Sequence, residues 1–327
     1  MLTKLPDYQI PEIPLQPSIL DAFLRADEAL ARLDERAKLS PLQAAWSNRL
    51  LYRNACAAMH TLNCVVYLDD LVLFDGHAFS GAMYPDLSAA LGILKLWQGG
   101  LHEDAAMLLR SPMPGELPRP LASQIAADPE VKRDVPDYFW DRDWDEQGRL
   151  QRWHRVMQEA AQRPPLLAAA ITWDAWHMLA PEQQGTWRST LLAAIVLRAR
   201  GKTLNLLLPI DIGQRLSRGR WDLRHDYVQR MTVFFEMVTC AVQAASKELI
   251  GLTSANERMR LRIKDASKNS RLPALADLML AKPIVSIPLA SRELRISKQA
   301  LRVMIPRLGS APREITERAR YRCWTVA

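Results

Sequence analysis

Apolar positions recur at helical spacing along most of the chain, and this pattern predicts a mainly α-helical protein. A Pro-rich lead and a first helix take up residues 1–40. A second helical run, rich in Ala and Leu, extends from Pro41 through Leu73. The run from Tyr84 to Leu109 predicts a pair of helices that is broken near Gly99 and Gly100.

The most apolar part of the chain lies between Pro165 and Arg200 and predicts two helices around a break near Pro181 and Gly185. Helices that are apolar nearly all round belong in the middle of a bundle. Ser111–Pro120 is predicted to be a loop because it holds four prolines and a glycine. A long helical run, from about Arg224 to Arg262, closes the larger domain.

After the helical run the pattern changes to short helices with sharp stops. LPALADLMLAKP, IPLASREL and SKQALRVMIPRLG predict three helices with a tight turn before the third, the rhythm of a helix-turn-helix. The following REITERARYRCWTV alternates polar and apolar residues around a charged turn, as a two-stranded wing does. We therefore predict a lead and first helix over 1–40, a helical domain over 41–264 and a winged helix-turn-helix domain over 265–327.

The third short helix and the wing carry the residues that are predicted to contact DNA. Ser297 is placed to cap the helix, while Lys298, Gln299 and Arg302 fall on its outward side, where side chains reach base edges. Arg295 sits in the turn at a position that often holds glycine. The wing arginines have phosphate-binding potential: Arg313, Arg318, Arg320 and Arg322.

The charge of the chain is concentrated at its C-terminal end. The whole chain carries a formal charge of +7, but the part from Glu257 onward has 16 Lys and Arg against 6 Asp and Glu. That part therefore carries +10 and the preceding part about −3. A polyanion, double-stranded DNA, is the expected partner. The alternative is a winged domain that contacts proteins, with arginines that only keep one face solvated.

Other classes of protein receive little support from the sequence. The four cysteines have no paired short spacing, so neither a metal site nor a disulfide framework is expected. No apolar run reaches the roughly 18–20 residues of a membrane span, and the Pro-rich start does not resemble a secretory signal, so we expect a cytoplasmic protein. We expect no cofactor, because no phosphate-binding loop or dinucleotide motif is present.

Five runs, in this order, resemble an uncharacterised family that is common on rhizobial plasmids: LDDLVLFD, ITWDAWHMLAP, LLAAIVLRARGKT, NSRLPALADLMLAKPIVS and RARYRCW. The resemblance covers about residues 45 to 327. That family in turn resembles degenerate Fic proteins, which transfer AMP or related groups to hydroxyl side chains and often carry a C-terminal winged helix. The resemblance implies a Fic-like helical bundle followed by a small DNA-binding domain.

The stretch AWHMLAPEQQGTWRSTLLAA is the counterpart of the Fic motif HPFxxGNGR. The resemblance places His177 where the catalytic base would be, Gly185 in the phosphate-binding turn and Arg188 where an anion-binding arginine begins. The motif's asparagine and second glycine are missing and its spacing differs, and a phosphate-binding turn without its glycines holds anions poorly. We therefore expect no transferase activity and no bound nucleotide, with His177 a hydrogen-bonded core residue.

The leading hypothesis is a DNA-binding transcriptional regulator whose catalytically inactive Fic-like body supports dimerisation or contacts with a partner. A homodimer is expected by analogy with winged helices that bind two-fold DNA sites. Two alternatives stay open. One is a divergent Fic-type nucleotidyl transferase whose unusual motif still works, and the other is an interaction module of plasmid maintenance or conjugation.

Overall fold

A computed structural model describes residues 7–10, 17–79, 81, 84–102, 144–182, 186–267, 269–316 and 322–326. The predicted loop at 111–120 and the predicted site residues Gly185, Arg318 and Arg320 lie outside these ranges.

The described residues form twelve helices: α1 Pro17–Leu39, α2 Gln43–Thr61, α3 Leu68–Asp75, α4 Pro85–His102, α5 Glu146–Ala160, α6 Pro165–Leu179, α7 Arg188–Ala199, α8 Ile210–Leu216, α9 Tyr227–Arg262, α10 Leu272–Ala281, α11 Ile287–Leu294 and α12 Lys298–Arg307. They also form three short strands: β1 Val285–Ser286, β2 Arg313–Glu314 and β3 Cys323–Thr325.

The predicted mainly α fold is confirmed, and its core is built around α6, α7 and α9. Eleven of the fifteen residues of α6 are buried, as are ten of the twelve residues of α7, so both helices lack a solvent face. They pack against each other on either side of the predicted break. Helix α9, at 36 residues and about 54 Å, packs against α1, α8 and α10. It therefore connects the helical body to the C-terminal elements.

Local sequence signals set the limits of these central helices. Asp226 accepts a hydrogen bond from the backbone N–H of Gln229 at 2.8 Å, and the Gln229 side chain accepts one from the backbone N–H of Asp226 at 3.0 Å. This capping box starts α9. Helix α6 ends where Ala180 adopts φ +41°, a left-handed conformation that stops the helix. None of the described helices combines the length and apolar character that crossing a membrane requires.

The predicted break near Gly99 and Gly100 is wrong, because α4 runs through both glycines. A Cβ atom on Gly100 would lie 3.3 Å from Leu207 Cδ2 and 3.5 Å from Leu191 Cδ1. The missing side chain therefore lets α4 approach its neighbours closely. Gly100 serves packing at this position, and the helix continues.

The predicted second helical run from Pro41 to Leu73 is two helices, because α2 ends at Thr61 and Asn63 adopts φ +59°. Two further elements were not predicted from the sequence. These are the short helix α8 and the strand β1, which pairs with β3 through Val285↔Trp324. The sheet order β1-β3-β2 places β1 beside the predicted two-stranded wing, which is formed by β2 and β3.

Helix α2 fixes the C-terminal end of α10, the first helix of the C-terminal domain. Arg49 is completely buried, and its Nη1 donates to the carbonyl oxygen of Lys282 at 2.6 Å. Asn48 Nδ2 donates to the carbonyl oxygen of Ala281 at 2.9 Å. The last carbonyl groups of a helix lack partners within the helix, so these bonds satisfy groups that would otherwise be unpaired.

A buried carboxylate of α9 holds the guanidinium that makes these contacts. Arg49 Nε donates to Glu248 Oε1 at 2.7 Å, and Arg53 Nη2 lies 3.2 Å from Glu248 Oε2. Burial lowers the pKa of Arg49, and the negative charge of Glu248 opposes this shift. One carboxylate thus holds α2 and α9 together and keeps Arg49 charged at the end of α10.

Next to this ion pair, Lys282 forms a second set of contacts between the helical body and the C-terminal domain. Its Nζ donates to the hydroxyl oxygen of Tyr52 at 2.6 Å and lies 3.4 Å from Asp75 Oδ2. Tyr52 donates to Asp75 in turn, and Lys95 Nζ donates to Asp75 Oδ1 at 2.6 Å. The C-terminal domain is therefore packed against the helical body through polar contacts.

Replacing Arg49 by Met is expected to lower the free energy of unfolding by about 3–5 kcal/mol, because the change breaks a buried ion pair and leaves the α10 carbonyls unpaired. Denaturant unfolding followed by circular dichroism measures this effect. Arg258→Met, on an exposed face of α9, is the matched control and should change stability by less than about 0.5 kcal/mol. Equal effects of the two substitutions would contradict the role given to Arg49.

Candidate nucleic-acid interface

Helices α11 and α12 are joined by a three-residue turn at 295–297. Arg295 adopts φ +54° and ψ +44°, the left-handed conformation that favours glycine, which explains why such turns often hold one. Ser291 Oγ donates to the carbonyl oxygen of Ile296 at 2.7 Å and ties α11 to the turn. Leu294 and Ile296 pack against the core. The angle between the two helices is thus fixed on both sides of the turn.

Helix α12 begins with the predicted cap, since Ser297 Oγ accepts a hydrogen bond from the Ala300 backbone N–H at 3.2 Å. Leu301 and Ile305 are buried and hold the helix on the domain. Its outer face carries the predicted contact residues, all exposed: Lys298, Gln299 and Arg302. The side chains are thereby free to contact a ligand, and their contact with DNA stays a prediction.

Val303 lies on the same outer face and was not singled out from the sequence. It is 60 % exposed and follows Gln299 by four residues, one turn of the helix. The sequence signal that could have identified Val303 is an apolar residue on a helix face that is otherwise polar. In a DNA major groove such a side chain contacts the methyl group of thymine.

The wing consists of β2 and β3, with Arg313 paired to Thr325 and Glu314 paired to Trp324. Arg313 is exposed at the start of β2. Arg322 Nε and Nη2 donate to the two carboxylate oxygens of Glu314 at 2.7 and 2.5 Å. This ion pair raises the pKa of Arg322 and joins the two strands. Arg322 is therefore less available to a phosphate than the sequence indicated.

Several other cations of the C-terminal domain have no acidic partner. Of the six arginine and lysine side chains that the structure describes from residue 295 onward, five form no ion pair: Arg295, Lys298, Arg302, Arg307 and Arg313. All five are exposed and belong to the turn, to α12 or to the wing. Unpaired, solvated cations on one small domain match the charge of a phosphate backbone.

The structure places His177 among aromatic side chains of the helical body. Its ring stacks on Trp221 with centroids 4.9 Å apart and meets the edge of Trp173 at 4.9 Å. Nε2 lies 3.0 Å from Ser189 Oγ, and that hydroxyl donates to the Thr186 carbonyl oxygen. The imidazole Nε2–H must then be the donor to Ser189. Burial lowers the pKa of His177 to about 4, so the ring is neutral. The residue is half-buried and is held by its ring contacts and the bond to Ser189.

Arg188 is brought close to His177, because it precedes Ser189 in α7. Its guanidinium is paired with Glu182, and it is only 8 % exposed. Burial raises the pKa of Glu182 to about 7, and the charge of Arg188 opposes that rise. The arginine that the resemblance assigns to an anion is therefore paired with an internal carboxylate, while its Nε is buried without a partner among the described residues. Gly185, the third member of this candidate site, lies outside the described residues.

Asp174 is a buried acid that the sequence did not single out. It accepts hydrogen bonds from Trp221 Nε1 at 2.7 Å, from Arg230 Nε at 2.7 Å and from the Tyr8 hydroxyl at 3.0 Å. A carboxylate with three donors, one of them cationic, is fully partnered. Asp174 thus joins α6 to α9 and is not available to a substrate.

Asp211, on the unpredicted helix α8, is also completely buried. Asn54 Nδ2 donates to its Oδ2 at 2.7 Å, and Thr190 Oγ1 lies 2.8 Å from its Oδ1. Thr190 has a single hydroxyl hydrogen, which the Trp187 carbonyl oxygen can accept at 3.0 Å. The ionised carboxylate accepts this hydrogen from Thr190, whereas a protonated Asp211 can donate to Thr190 once the hydroxyl turns to Trp187. Burial raises the pKa of Asp211 to about 7, and the hydrogen bonds from Thr190 and Asn54 oppose that rise.

Metal and thiol chemistry have little basis in the described residues. No group of three or more His, Cys, Asp or Glu side chains among them is placed to hold a metal ion. The four cysteines, all within the described residues, form no disulfide, and burial raises the pKa of Cys56 to about 12 and that of Cys323 to about 11. Thiols with raised pKa values are poor nucleophiles at neutral pH.

Two family models match separate parts of the chain. Residues 272–327, which include α10 to α12 and the wing, match the model of the HTH DNA binding domain. Residues 138–264 match a family described as Protein of unknown function (DUF1612). The fold and the first match define a protein with a C-terminal helix-turn-helix DNA-binding domain, as predicted.

The whole chain is similar to Uncharacterized protein y4cF of Sinorhizobium fredii (strain NBRC 101917 / NGR234). The two are 28 % identical over 389 residues, which cover 98 % of this chain and 99 % of the relative. The predicted resemblance to a rhizobial family is confirmed. Among solved structures, a Fic family protein from Desulfovibrio desulfuricans G20 matches with a TM-score of 0.48 and 14 % identity, over 98 % of both chains.

The raised pKa of Asp211 predicts a pH dependence of stability. The folded state keeps this proton up to about pH 7, whereas an unfolded Asp loses it near its ordinary pKa of about 3.9. Asp211 therefore stabilises the fold most at low pH, and this contribution is lost as the pH rises through 7. In Asp211→Asn the side-chain amide N–H can still donate to Thr190, and the amide does not ionise. The melting temperature of Asp211→Asn relative to wild type should rise by a few degrees from pH 5 to pH 8.

Glu257→Gln, at an exposed position of α9, is the control and should show a difference from wild type that is constant over this pH range. A constant difference for Asp211→Asn as well would show that the buried carboxyl does not titrate between pH 5 and 8.

Proposed function

We propose that the protein is a transcriptional regulator that acts in the cytoplasm by binding double-stranded DNA through α12 and the wing. The observation that carries this proposal is the exposed face of α12, on which Lys298, Gln299 and Arg302 stand free of acidic partners among the described residues. The match of residues 272–327 to an HTH DNA binding domain supports it.

In this proposal the residues have two kinds of role. Gln299 and Arg302 contact base edges, because a helix in the major groove presents such side chains to adenine and guanine. Lys298 and Arg313 bind phosphates and set the register of the domain on the duplex, as do Arg318 and Arg320. Arg322 serves the interface indirectly by joining the wing strands through Glu314.

The helical body acts in the proposal without catalysis. Its support lies in the contacts of the counterpart of the Fic motif, since Ser189 engages His177 and Glu182 engages Arg188. A general base and an anion-binding group must both be free to face a substrate. The body instead provides surfaces for a homodimer or for a partner protein, and a dimer suits the two-fold symmetry of most operator sites.

Replacing Lys298 and Arg302 together by Ala is expected to weaken binding to duplex DNA by roughly tenfold or more and to flatten its salt dependence. Fluorescence anisotropy with mixed genomic duplex fragments, at two salt concentrations, measures both quantities. The matched control is Arg25→Ala/Arg32→Ala, which removes two exposed cations from α1. The two double variants therefore have the same net charge.

Wild-type protein that fails to bind DNA in either salt would remove the proposal. If the two double variants weakened DNA binding equally, only the overall charge would matter. Helix α12 would then not be the element that contacts the bases. A charge reversal at Arg318 and Arg320 that leaves activity in cells intact would favour the interaction module.

Incubation with ATP or a related nucleotide should leave the mass of the protein and of candidate target proteins unchanged, because the counterpart of the catalytic motif is internally partnered. Intact mass spectrometry checks this outcome. A mass increase of one nucleotidyl group that disappears in His177→Ala would instead establish the divergent transferase.

A further inference from the structure

A groove of about 940 Å³ lies between α2, α8 and α9. It is distinct from the DNA-binding face and from the His177 region. Apolar side chains of the three helices and of the connection after α2 form its floor and walls, among them Leu50, Ala57, Val66, Leu68, Ile212 and Ala244. Its size falls within the range of roughly 300–1,000 Å³ that is usual for small-molecule sites.

Four of the twelve large apolar side chains that are exposed among the described residues line this groove. Val65, Tyr67, Leu216 and Ile250 all line it, although each is largely open to solvent. They come from three separate segments of the chain, so neighbouring residues in sequence do not explain their grouping. A contiguous exposed apolar surface with a polar rim marks a binding site more often than ordinary surface.

The rim of the groove is positively charged. Arg53, Arg215 and Lys247 line it, and Glu248 is the acid among the lining residues. Glu248 is already shared by Arg49 and Arg53. Neither Arg215 nor Lys247 forms an ion pair within the described part of the chain. A net positive rim is therefore left for an external anion.

Two of these cations act on the floor of the groove. Burial raises the pKa of the Cys56 thiol; the charges of Arg215 and Arg53 oppose that rise, and the charge of Asp69, which does not line the groove, adds to it. Arg53 Nε is buried and has no hydrogen-bond partner among the described residues, although its Nη2 contacts Glu248. A buried guanidinium nitrogen without a partner is costly unless a ligand supplies the acceptor.

We infer that this groove binds a small amphipathic anion, with an apolar ring system or chain on the floor and a carboxylate-like group on Arg53 and Arg215. Charge complementarity selects this occupant, because an uncharged apolar ligand would leave the guanidinium groups unused. A phosphate without an apolar part would leave the exposed apolar walls uncovered.

The groove is connected to the DNA-binding domain through one carboxylate. Glu248 binds Arg53 on the groove side and Arg49 on the other, and Arg49 donates to the Lys282 carbonyl oxygen beyond α10. An anion on Arg53 competes with Glu248 for that guanidinium and so leaves the carboxylate to Arg49 alone, which alters the ion pair that holds the end of α10. The bound anion is thus an effector of DNA binding, and this part of the inference rests on the proposed function.

The binding test uses 8-anilinonaphthalene-1-sulfonate, whose rings and sulfonate represent the two parts of the ligand, and the uncharged N-phenyl-1-naphthylamine as its matched control. A fluorescence titration of the full chain should show saturable binding of one sulfonate probe per chain. Arg215→Gln should weaken this binding at least threefold, and Ile250→Glu should abolish it. The uncharged probe should bind more weakly and should not respond to Arg215→Gln.

Arg215 and Ile250 are exposed, so their variants should retain the wild-type melting temperature, and Arg258→Gln on α9 should behave as wild type in every titration. Sulfonate binding that is absent, or that is unaffected by both groove variants, would overturn the site. Sedimentation velocity is the second measurement. A wild-type dimer that Ile250→Glu converts to a monomer would identify a second copy of the chain as the occupant and would also overturn it.

The effector role is tested by repeating the DNA titration with saturating sulfonate probe. The Kd for DNA should change at least threefold in the wild type and should not change in Ile250→Glu. An unchanged Kd in the wild type would overturn the effector role, while a saturable probe site would still stand. If the wild type binds no DNA at all, the proposed function fails separately, because the probe titration does not involve DNA.

Discussion

The carboxylate of Glu248 is the contact on which the arrangement of the two parts of the chain depends. It is buried on α9 and bound by Arg49 and Arg53 from α2. Removing two opposite charges from water costs several kcal/mol for each ion, so such a pair is tolerated only where further hydrogen bonds use the remaining donors. Arg49 meets this condition in part, because its Nη1 donates to the Lys282 carbonyl oxygen while its Nη2 has no partner among the described residues. Its desolvation is thus offset by a contact that also positions the DNA-binding domain.

The contacts of Glu248 and Arg49 determine the position of α12, because few residues separate the end of α10 from β1 and α11. The carbonyl groups of 281 and 282, which Asn48 and Arg49 hold, lie three to four residues before β1. Strand β1 pairs with β3 of the wing, and α11 starts directly after β1 with its N-cap on Ser286. A shift of α10 therefore moves both the wing and the helix-turn-helix, since few residues lie between them to absorb it.

The sequence predicted those elements whose signals are local. The apolar helices on either side of the break, the long α9 and the Ser297 cap depend on spacing and on residues a few positions apart. Contacts over long separations were not predictable from one chain. Glu248 lies 199 residues from Arg49, and a lone Glu on a helix looks like any solvated acid. The break expected at Gly100 failed for the same reason, because the neighbours that need its small size are distant in sequence.

Among the buried polar groups of the helical body, the hydrogen-bond partners distinguish structural residues from candidates for function. Asp174, Asp211 and Glu182 would each suggest acid–base chemistry from burial and residue type alone, yet each has a donor from another segment. A group that is fully partnered in the folded chain must break those bonds before it can serve a substrate, and this costs free energy. Arg53 Nε and Arg188 Nε are both buried without a hydrogen-bond partner among the described residues, but Arg53 also lines an open groove with exposed apolar side chains around it. An unsatisfied polar atom therefore supports ligand binding at Arg53 only together with the groove beside it.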